Sequence, residues 1–419
     1  MSRSRMILAM ILTYMVFAIL LNSVGTLILI SQKAYGVSKE ATSVLDAYKD
    51  LPIAVVAFLV ASWLPRLGYR RGMMLGLVAT AAACAMMPLA NTFWVMKLML
   101  AVLGVAFAFV KVSVYSSIGL LTEDSKGHAS LTSFVEGCFM IGVLAGPWLY
   151  SIFIGQQETP DDPVWLHIYW WLVGACVIII GLLAVSSMDE SAATDGHNIA
   201  QSYLDMIKLI AVPLVIVFLV SAFLYVLLEQ GINTWLPTFN ADVLHLSTAT
   251  SVQLGSLFAA STALGRLGAG LLLRRMSWHW LLVFCLLATA GLVLVVLPLA
   301  ANAQPPAADG WWHAPKAAFL FPLIGLFIAP IYPSIVSAVL SALPRTRHAA
   351  MAGLAVVFSA LGGSTGSFVT GHVFARFGGQ TAFYLSLIPL ALLLPAVLLL
   401  KRWSDRRGTT SPAAMEIAQ

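Results

Sequence analysis

"SSMDESAATDGHNIAQSYLDMIK", residues 186–208, is a long polar stretch in a chain of 419 residues that is otherwise apolar. It holds Asp189, Glu190, Asp195, Asp205 and Lys208, and for more than 150 residues on either side the sequence is mostly Ala, Val, Ile, Leu, Phe and Met. Hydrophobic residues make up 60% of the chain and charged residues only 10%. A water-soluble chain carries about a quarter charged residues to coat its surface. With a mean hydropathy of +0.91, this one takes lipid as its main solvent.

Working outward from 186–208, six apolar runs precede the stretch and six follow it. They lie near 6–30, 43–64, 73–91, 93–121, 129–155 and 165–187, then 210–239, 249–273, 278–301, 316–343, 349–375 and 380–402. Each is close to the roughly 20 residues that carry a helix across about 30 Å of hydrocarbon. Helices are expected because an open strand leaves backbone polar groups unpaired in lipid, and barrel strands would alternate polar and apolar residues. The first run is longer than a signal-peptide core and lacks a small-residue cleavage site after it, so it reads as a membrane helix. The expected fold class is an all-α membrane protein of twelve transmembrane helices in two six-helix bundles. Residues 1–187 form the first bundle, 188–208 the linker and 209–419 the second bundle.

Most of the 23 basic residues fall on one side of this alternating topology. They are Arg3, Arg5, Arg66, Arg70, Arg71, Lys126, Lys208, Arg274, Arg275, Arg345, Arg347, Lys401, Arg402, Arg406 and Arg407. Lys33, Lys39, Lys316 and Arg376 lie opposite, and Lys49, Lys97, Lys111 and Arg266 fall inside expected helices. The positive-inside rule then makes both termini and the linker cytoplasmic. This asymmetry accounts for the net charge of +5 without a nucleic acid partner. Cys84, Cys138, Cys176 and Cys285 all sit in expected helices without metal-ligand spacing, and they read as packing thiols. No metal or cofactor signature is present. One GxSxG pattern, Gly362 to Gly366, lies inside an expected membrane helix and not on a strand-to-helix turn, so no enzyme is expected.

Two six-helix halves joined by a cytoplasmic linker is a layout in which a solute site lies between bundles that rock about it. At this point the chain resembles the major facilitator superfamily of secondary transporters. "PRLGYRR" (65–71) is similar to that superfamily's loop between helices two and three, with Ala61 for the opening Gly, Pro65 for the Asp and Tyr69 for the first trailing basic residue. "GLLLRRMS" (270–277) repeats the pattern in the second half with Arg274 where the acid would stand. "EQGINTWLPTF" (229–239), "GRLGAGLLLRR" (265–275) and "APIYPSIVSAVLS" (329–341) resemble the sugar-porter branch that includes fucose permease. "GVLAGPW" (142–148) partly resembles the glycine-proline signature of proton-coupled antiporters.

Ionisable residues in the middle of a membrane helix are costly and therefore face a cavity or a partner. Lys111 and Glu136, about 15 and 10 Å from the cytoplasmic ends of helices four and five, are placed to pair, with Tyr115 one turn from Lys111. Two roles are open: a static ion pair between helices, or a proton-coupling carboxyl at Glu136 whose charge Lys111 tunes or which leaves Lys111 for an anionic group of the solute. Glu229, in the outer half of helix seven, precedes Gln230, Gly231, Asn233, Trp235 and Pro237. Gly231 and Pro237 would allow that helix to break, with amides and an indole offered to a polar ligand. Glu229 is the other proton-coupling candidate, or else a solvated residue of an outer vestibule. The resemblance implies that helices one, four, seven and ten line the central cavity. That adds Asn22, Thr26, Tyr332 and Ser334 to Tyr115, Glu229, Gln230, Asn233 and Trp235 as solute-binding candidates, against a role in helix packing alone. "LGGSTGS" (361–367) in helix eleven is expected to mark close helix packing.

Asp46, Lys49 and Asp50 cluster at the outer end of helix two. They form either a solvated helix end with a local ion pair or an outer gate. Arg66, Arg70 and Arg71 are gating candidates on the cytoplasmic side. The expected function is proton-coupled secondary transport of a small polar solute, a sugar or related metabolite. Such a protein would work by alternating access as a monomer in the bilayer of a bacterial inner membrane. Proton-coupled efflux of amphipathic compounds and a non-transporting membrane sensor of the same fold are the alternatives.

Overall fold

The structure is a computed structural model, and it describes residues 2–60, 64–122, 125–154, 163–186, 188, 208–273, 275–341, 343 and 348–408. Ala61, most of the linker, Arg274, Arg345 and Arg347 lie outside the described residues. The helices group into twelve crossings. The first half holds α1 (Ser2–Leu21 and Val24–Ala34), α2 (Lys39–Thr42 and Leu45–Val60), α3 (Tyr69–Leu89), α4 (Phe93–Leu121), α5 (Ser125–Ile154) and α6 (His167–Ala184). The second holds α7 (Pro213–Asp242), α8 (Thr248–Gly255 and Leu257–Leu272), α9 (Trp278–Ala301) and α10 (Lys316–Leu320, Ile324–Ile328 and Ile331–Ser341). It continues with α11 (348–377) and α12 (379–384 and Leu387–Gly408), which are divided at Gly378.

Among the described residues nine helical stretches are long and apolar enough, by length and composition, to cross a bilayer. The others, α2, α8 and α12, cross as joined segments. Local chemistry sets several boundaries. Ser38, Thr92 and Ser247 accept hydrogen bonds from the backbone N–H groups of Ala41, Val95 and Thr250, capping α2, α4 and α8. Pro213 begins α7, where its missing N–H costs nothing. Gly378, at φ +83°, takes the left-handed turn that separates α11 from α12.

One expected break is misplaced. Helix seven is continuous from Pro213 to Asp242 with Pro237 inside it, because both suspected weak points are packed against neighbours. A methyl added at Gly231 would lie 2.7 Å from Thr370 Oγ1, and Pro237 sits against Gly255 of α8. The interruptions fall instead in α1 at Asn22–Ser23, in α8 at Ser256 and in α10 around Ala329–Pro330.

Glycines let helices approach closely where the backbone leaves no room for a side chain. In α11 a Cβ at Gly362 would collide with the Phe223 carbonyl and one at Gly366 with the Leu227 carbonyl of α7, so "LGGSTGS" is a packing seam. Gly142 lies on α1, where a Cβ would stand 2.7 Å from the Met15 carbonyl oxygen. The antiporter-like glycine therefore serves contact between α1 and α5. Large apolar side chains such as Val78, Ile152, Trp171, Ile178 and Leu267 stay exposed on the bundle exterior, as a lipid-facing surface requires.

Candidate functional site

On the first-half wall, Glu136 projects from α5 to two tyrosine hydroxyls. Tyr115 of α4 donates to its Oε1, and Tyr14 of α1 donates to the same oxygen at 3.4 Å. Tyr14 is itself fixed by rings, with Phe139 at 4.8 Å and Phe107 stacked at 5.8 Å between centroids. Lys111 does not form a direct pair with Glu136, one of the two open readings. Its Nζ sits over the Phe107 ring, 5.8 Å from the centroid, within electrostatic reach of Glu136. The two tyrosines occupy the place at the carboxylate that sequence spacing assigned to the lysine.

The second-half wall repeats this chemistry with a cation added. Tyr225, one turn before Glu229 on α7, donates to Glu229 Oε1 at 2.9 Å. Arg266 of α8 brings its guanidinium to 3.8 Å from the same oxygen, with its side chain 45% exposed. Tyr332 of α10 stacks on Tyr225 at 5.5 Å, and Ser359 of α11 donates to the Tyr332 hydroxyl at 3.4 Å. Glu229 thus stands near the middle of α7 among ring and guanidinium groups, not in a solvated outer vestibule. Tyr14, Tyr225, Arg266 and Ser359 were not singled out from sequence. For Arg266 the signal was present, a cation inside a membrane helix. The tyrosines carry no such signal.

The charges of α2 lie where that helix packs on the second half. Lys49 Nζ lies 2.8 Å from Asp50 Oδ1 and 3.1 Å from Asp46 Oδ1. From the second half, the Thr234 hydroxyl donates to Asp46 Oδ2 at 2.8 Å. Asp46 is fully buried and Lys49 is 5% exposed, which corrects the solvated helix end. The sequence sets these charges at the outer end of helix two, but α7 and α11 cover them. Gly25 of α1 meets the Thr234 backbone, and a Cβ at Gly363 of α11 would come 3.3 Å from Asp50 Oδ2. Further out, Lys39 pairs with Asp242 at 2.6 Å and Ser43 Oγ lies 3.4 Å from His372 Nδ1. Trp148 donates to Ser256 at 3.1 Å, and Gln253 donates to Ser151 at 3.1 Å. Each of these bonds joins the first half to the second.

The remaining candidates separate into three groups. Asn22, Thr26 and Asn233 line a 30 Å³ cavity between α1, α5, α7 and α8, although the Asn22 amide also donates to its own helix at Ala18 O, 2.9 Å away. Trp235 and Ser334 are not on a cavity wall. Trp235 is fully buried, donates to the Ser367 carbonyl at 2.9 Å and packs on Phe374, so its polar tip is satisfied within the second half, and Ser334 is buried in α10. Gln230 is half-buried, with its side chain beside Gly363. On the inner side, Arg70 donates to the Ser186 carbonyl of its own half at 2.5 Å, while Arg66 and Arg71 are exposed. Gly68, at φ +93°, makes the turn that precedes them.

A family model described as Major Facilitator Superfamily matches residues 6–321. No curated protein matches the chain. Among solved structures, a bacterial homologue of the human lysosomal transporter Spinster, inward-facing and unoccupied, superposes with a TM-score of 0.78. It is 13% identical, with 98% of this chain and 99% of that one covered. The nucleoside transporter NupG gives 0.72 at 14% identity, with 95% and 98% covered. The E. coli fucose:proton symporter FucP gives 0.60 at 16% identity, with 96% and 99% covered. At these identities the likenesses establish the fold.

Proposed function

The chain belongs to the Major Facilitator Superfamily, and on that premise we propose that it is a proton-coupled secondary transporter of a small polar solute, a sugar or related metabolite. It is an integral, multi-pass membrane protein. The bundles 1–187 and 209–419 would act as the rocking units of a monomer in a bacterial inner membrane. The observation that carries the proposal is the position of Glu136 and Glu229, one on each wall, on the inner side of an outer seam bonded across both halves. On this reading the acids would face the inner side while the outer side is shut. Opening the outer seam and closing the inner one would expose the same acids to the other compartment.

Protonation removes a charge that is expensive to carry through an occluded, water-poor state, so proton uptake and solute binding favour the same conformation. Both acids have tyrosine hydroxyl donors. Asn22, Thr26, Asn233, Gln230, Tyr115 and Tyr332 remain the solute-binding candidates, and Trp235 and Ser334 would need the second half to repack. Asp46, Lys49 and Asp50 would serve as the outer gate. Uptake of labelled sugars and small acids into proteoliposomes, with and without a pH step, tests the proposal. Glu136→Gln and Glu229→Gln should abolish uphill accumulation and leave exchange, whereas concentration of solute by both mutants would refute the coupling role.

A second reading, efflux of amphipathic compounds, is favoured by the ring cluster of Tyr14, Phe107 and Phe139 beside Lys111. Extrusion of a dye by the same proteoliposomes, without accumulation of polar solutes, would select it.

A further inference from the structure

The geometry points to a small monocarboxylate as the solute, held by Arg266 in competition with Glu229. This rests on the transport reading and narrows its substrate class. A guanidinium presents five N–H donors in a fork that fits a carboxylate in a bidentate manner. The contact from Arg266 to Glu229 Oε1 is 3.8 Å, a full ångström longer than the 2.8 Å bond between Lys49 and Asp50. Its side chain is almost half exposed and its guanidinium also bonds the Tyr225 hydroxyl, so Glu229 takes only part of the fork. The base of the side chain is nevertheless fixed, because Gly265 sits directly on the Leu326 carbonyl of α10.

Glu229 is equipped to give Arg266 up. Tyr225 donates to the same Oε1 at 2.9 Å, and that bond survives when the guanidinium turns to another carboxylate. On the opposite wall Lys111 has a ring and not a bonded acid at its ammonium, while Glu136 is within electrostatic reach of both Lys111 and Arg266. The groups that face Glu229 are therefore Tyr225 on its own helix, Arg266 on α8 and Tyr332 on α10.

Charge sets the class of anion. Among the described residues, Lys111 and Arg266 balance Glu136 and Glu229, so this group of four is neutral when all are ionised. One carboxylate entering leaves it one negative charge in excess, and one proton on Glu229 restores neutrality while freeing Arg266 for the ligand. A phosphate dianion leaves a further uncompensated charge, and a neutral sugar has no carboxylate to replace Glu229 at the guanidinium. The Tyr332 ring, stacked on Tyr225, and the exposed Tyr115 hydroxyl supply a flat face and a polar contact for the body of the acid.

Thermal melting of the purified full chain in detergent, with lactate, D-gluconate, D-glucuronate, D-glucose or glucose 6-phosphate as probe, tests the assignment. At least one monocarboxylate should raise the melting point of the wild type. Arg266→Gln should weaken its apparent Kd by roughly tenfold or more, with Arg266→Lys retaining part of the affinity. Glu229→Gln, which removes the competing carboxylate, should tighten it. Stabilisation by glucose or glucose 6-phosphate alone, equal carboxylate binding by wild type and Arg266→Gln, or no carboxylate binding at all overturns the inference. Flux measurements on the same protein in proteoliposomes distinguish its failure from that of the transport reading. Arg266-dependent binding without flux leaves the carboxylate site standing and removes transport, and flux of neutral glucose unaffected by Arg266→Gln does the reverse.

Discussion

The charges of α2 and the pair between α7 and α8 use the same side-chain chemistry in opposite ways. In α2, Lys49 is clamped between Asp46 and Asp50 at 3.1 and 2.8 Å and the group is buried under α7 and α11. Between α7 and α8, Arg266 stands 3.8 Å from Glu229 with its side chain nearly half exposed. A short, desolvated pair is strongly destabilised by loss of one partner, since the other charge is left buried without compensation. A long, wet pair exchanges partners at small cost. The difference teaches that one chain can hold a charge fixed by burial, as at Lys49, and leave another with exposed donors, as at Arg266.

The comparison breaks most severely at Glu229. Replacing it with Gln removes the exchangeable acid, and uphill accumulation in a pH gradient should fall to background while solute exchange persists. Lys49→Ala comes next: it strands two buried carboxylates, at a cost of about 3–5 kcal/mol to the outer-closed arrangement. Labelling of a Ser43→Cys reporter by a membrane-impermeant maleimide should rise accordingly, and unchanged labelling would remove the gate. Lys49→Glu should move the same readout in the same direction. Thr234→Val deletes the hydrogen bond that ties α7 to Asp46, worth about 1.5–3 kcal/mol for a bond to a charged group, and should raise the same labelling to a smaller extent. The smallest change is expected from Lys39→Ala. That pair with Asp242 is partly exposed, so its loss should cost under about 1 kcal/mol and fade further at high salt. A large effect there would place the lock at the rim instead of at Lys49.

Much of the architecture was legible because hydropathy is a local property that accumulates along a run. Each of the twelve expected runs overlaps a helix, and 186–208 falls between α6 and α7. The packing role of Gly362 and Gly366 was legible for a similar reason, since small residues one helical turn apart on one face predict close approach. Within the candidate site, the ionisable positions Lys111, Glu136 and Glu229 were found by their cost in lipid. Their partners were not. Whether Glu136 meets Lys111 or a tyrosine depends on the rotation and spacing of α1, α4 and α5, which the sequence leaves unstated. Trp235 misled for a related reason: an indole beside Asn233 suggests a ligand face, yet 100° per residue carries it to Ser367 and Phe374 inside the second half.

By itself the sequence determined that this chain lives in lipid, crosses it as helices, divides into two halves and spends a few charges at depth. Those properties follow from the transfer free energy of each residue, which needs no knowledge of its neighbours. Only the tertiary structure decided that the α2 charges are sealed under the second half, that tyrosines and not Lys111 hold Glu136, and that Arg266 shares Glu229. The reason is physical. An ion pair or hydrogen bond depends on distances set by helix packing across more than a hundred residues of chain, as between Asp46 and Thr234, and those distances exist only once the helices have met.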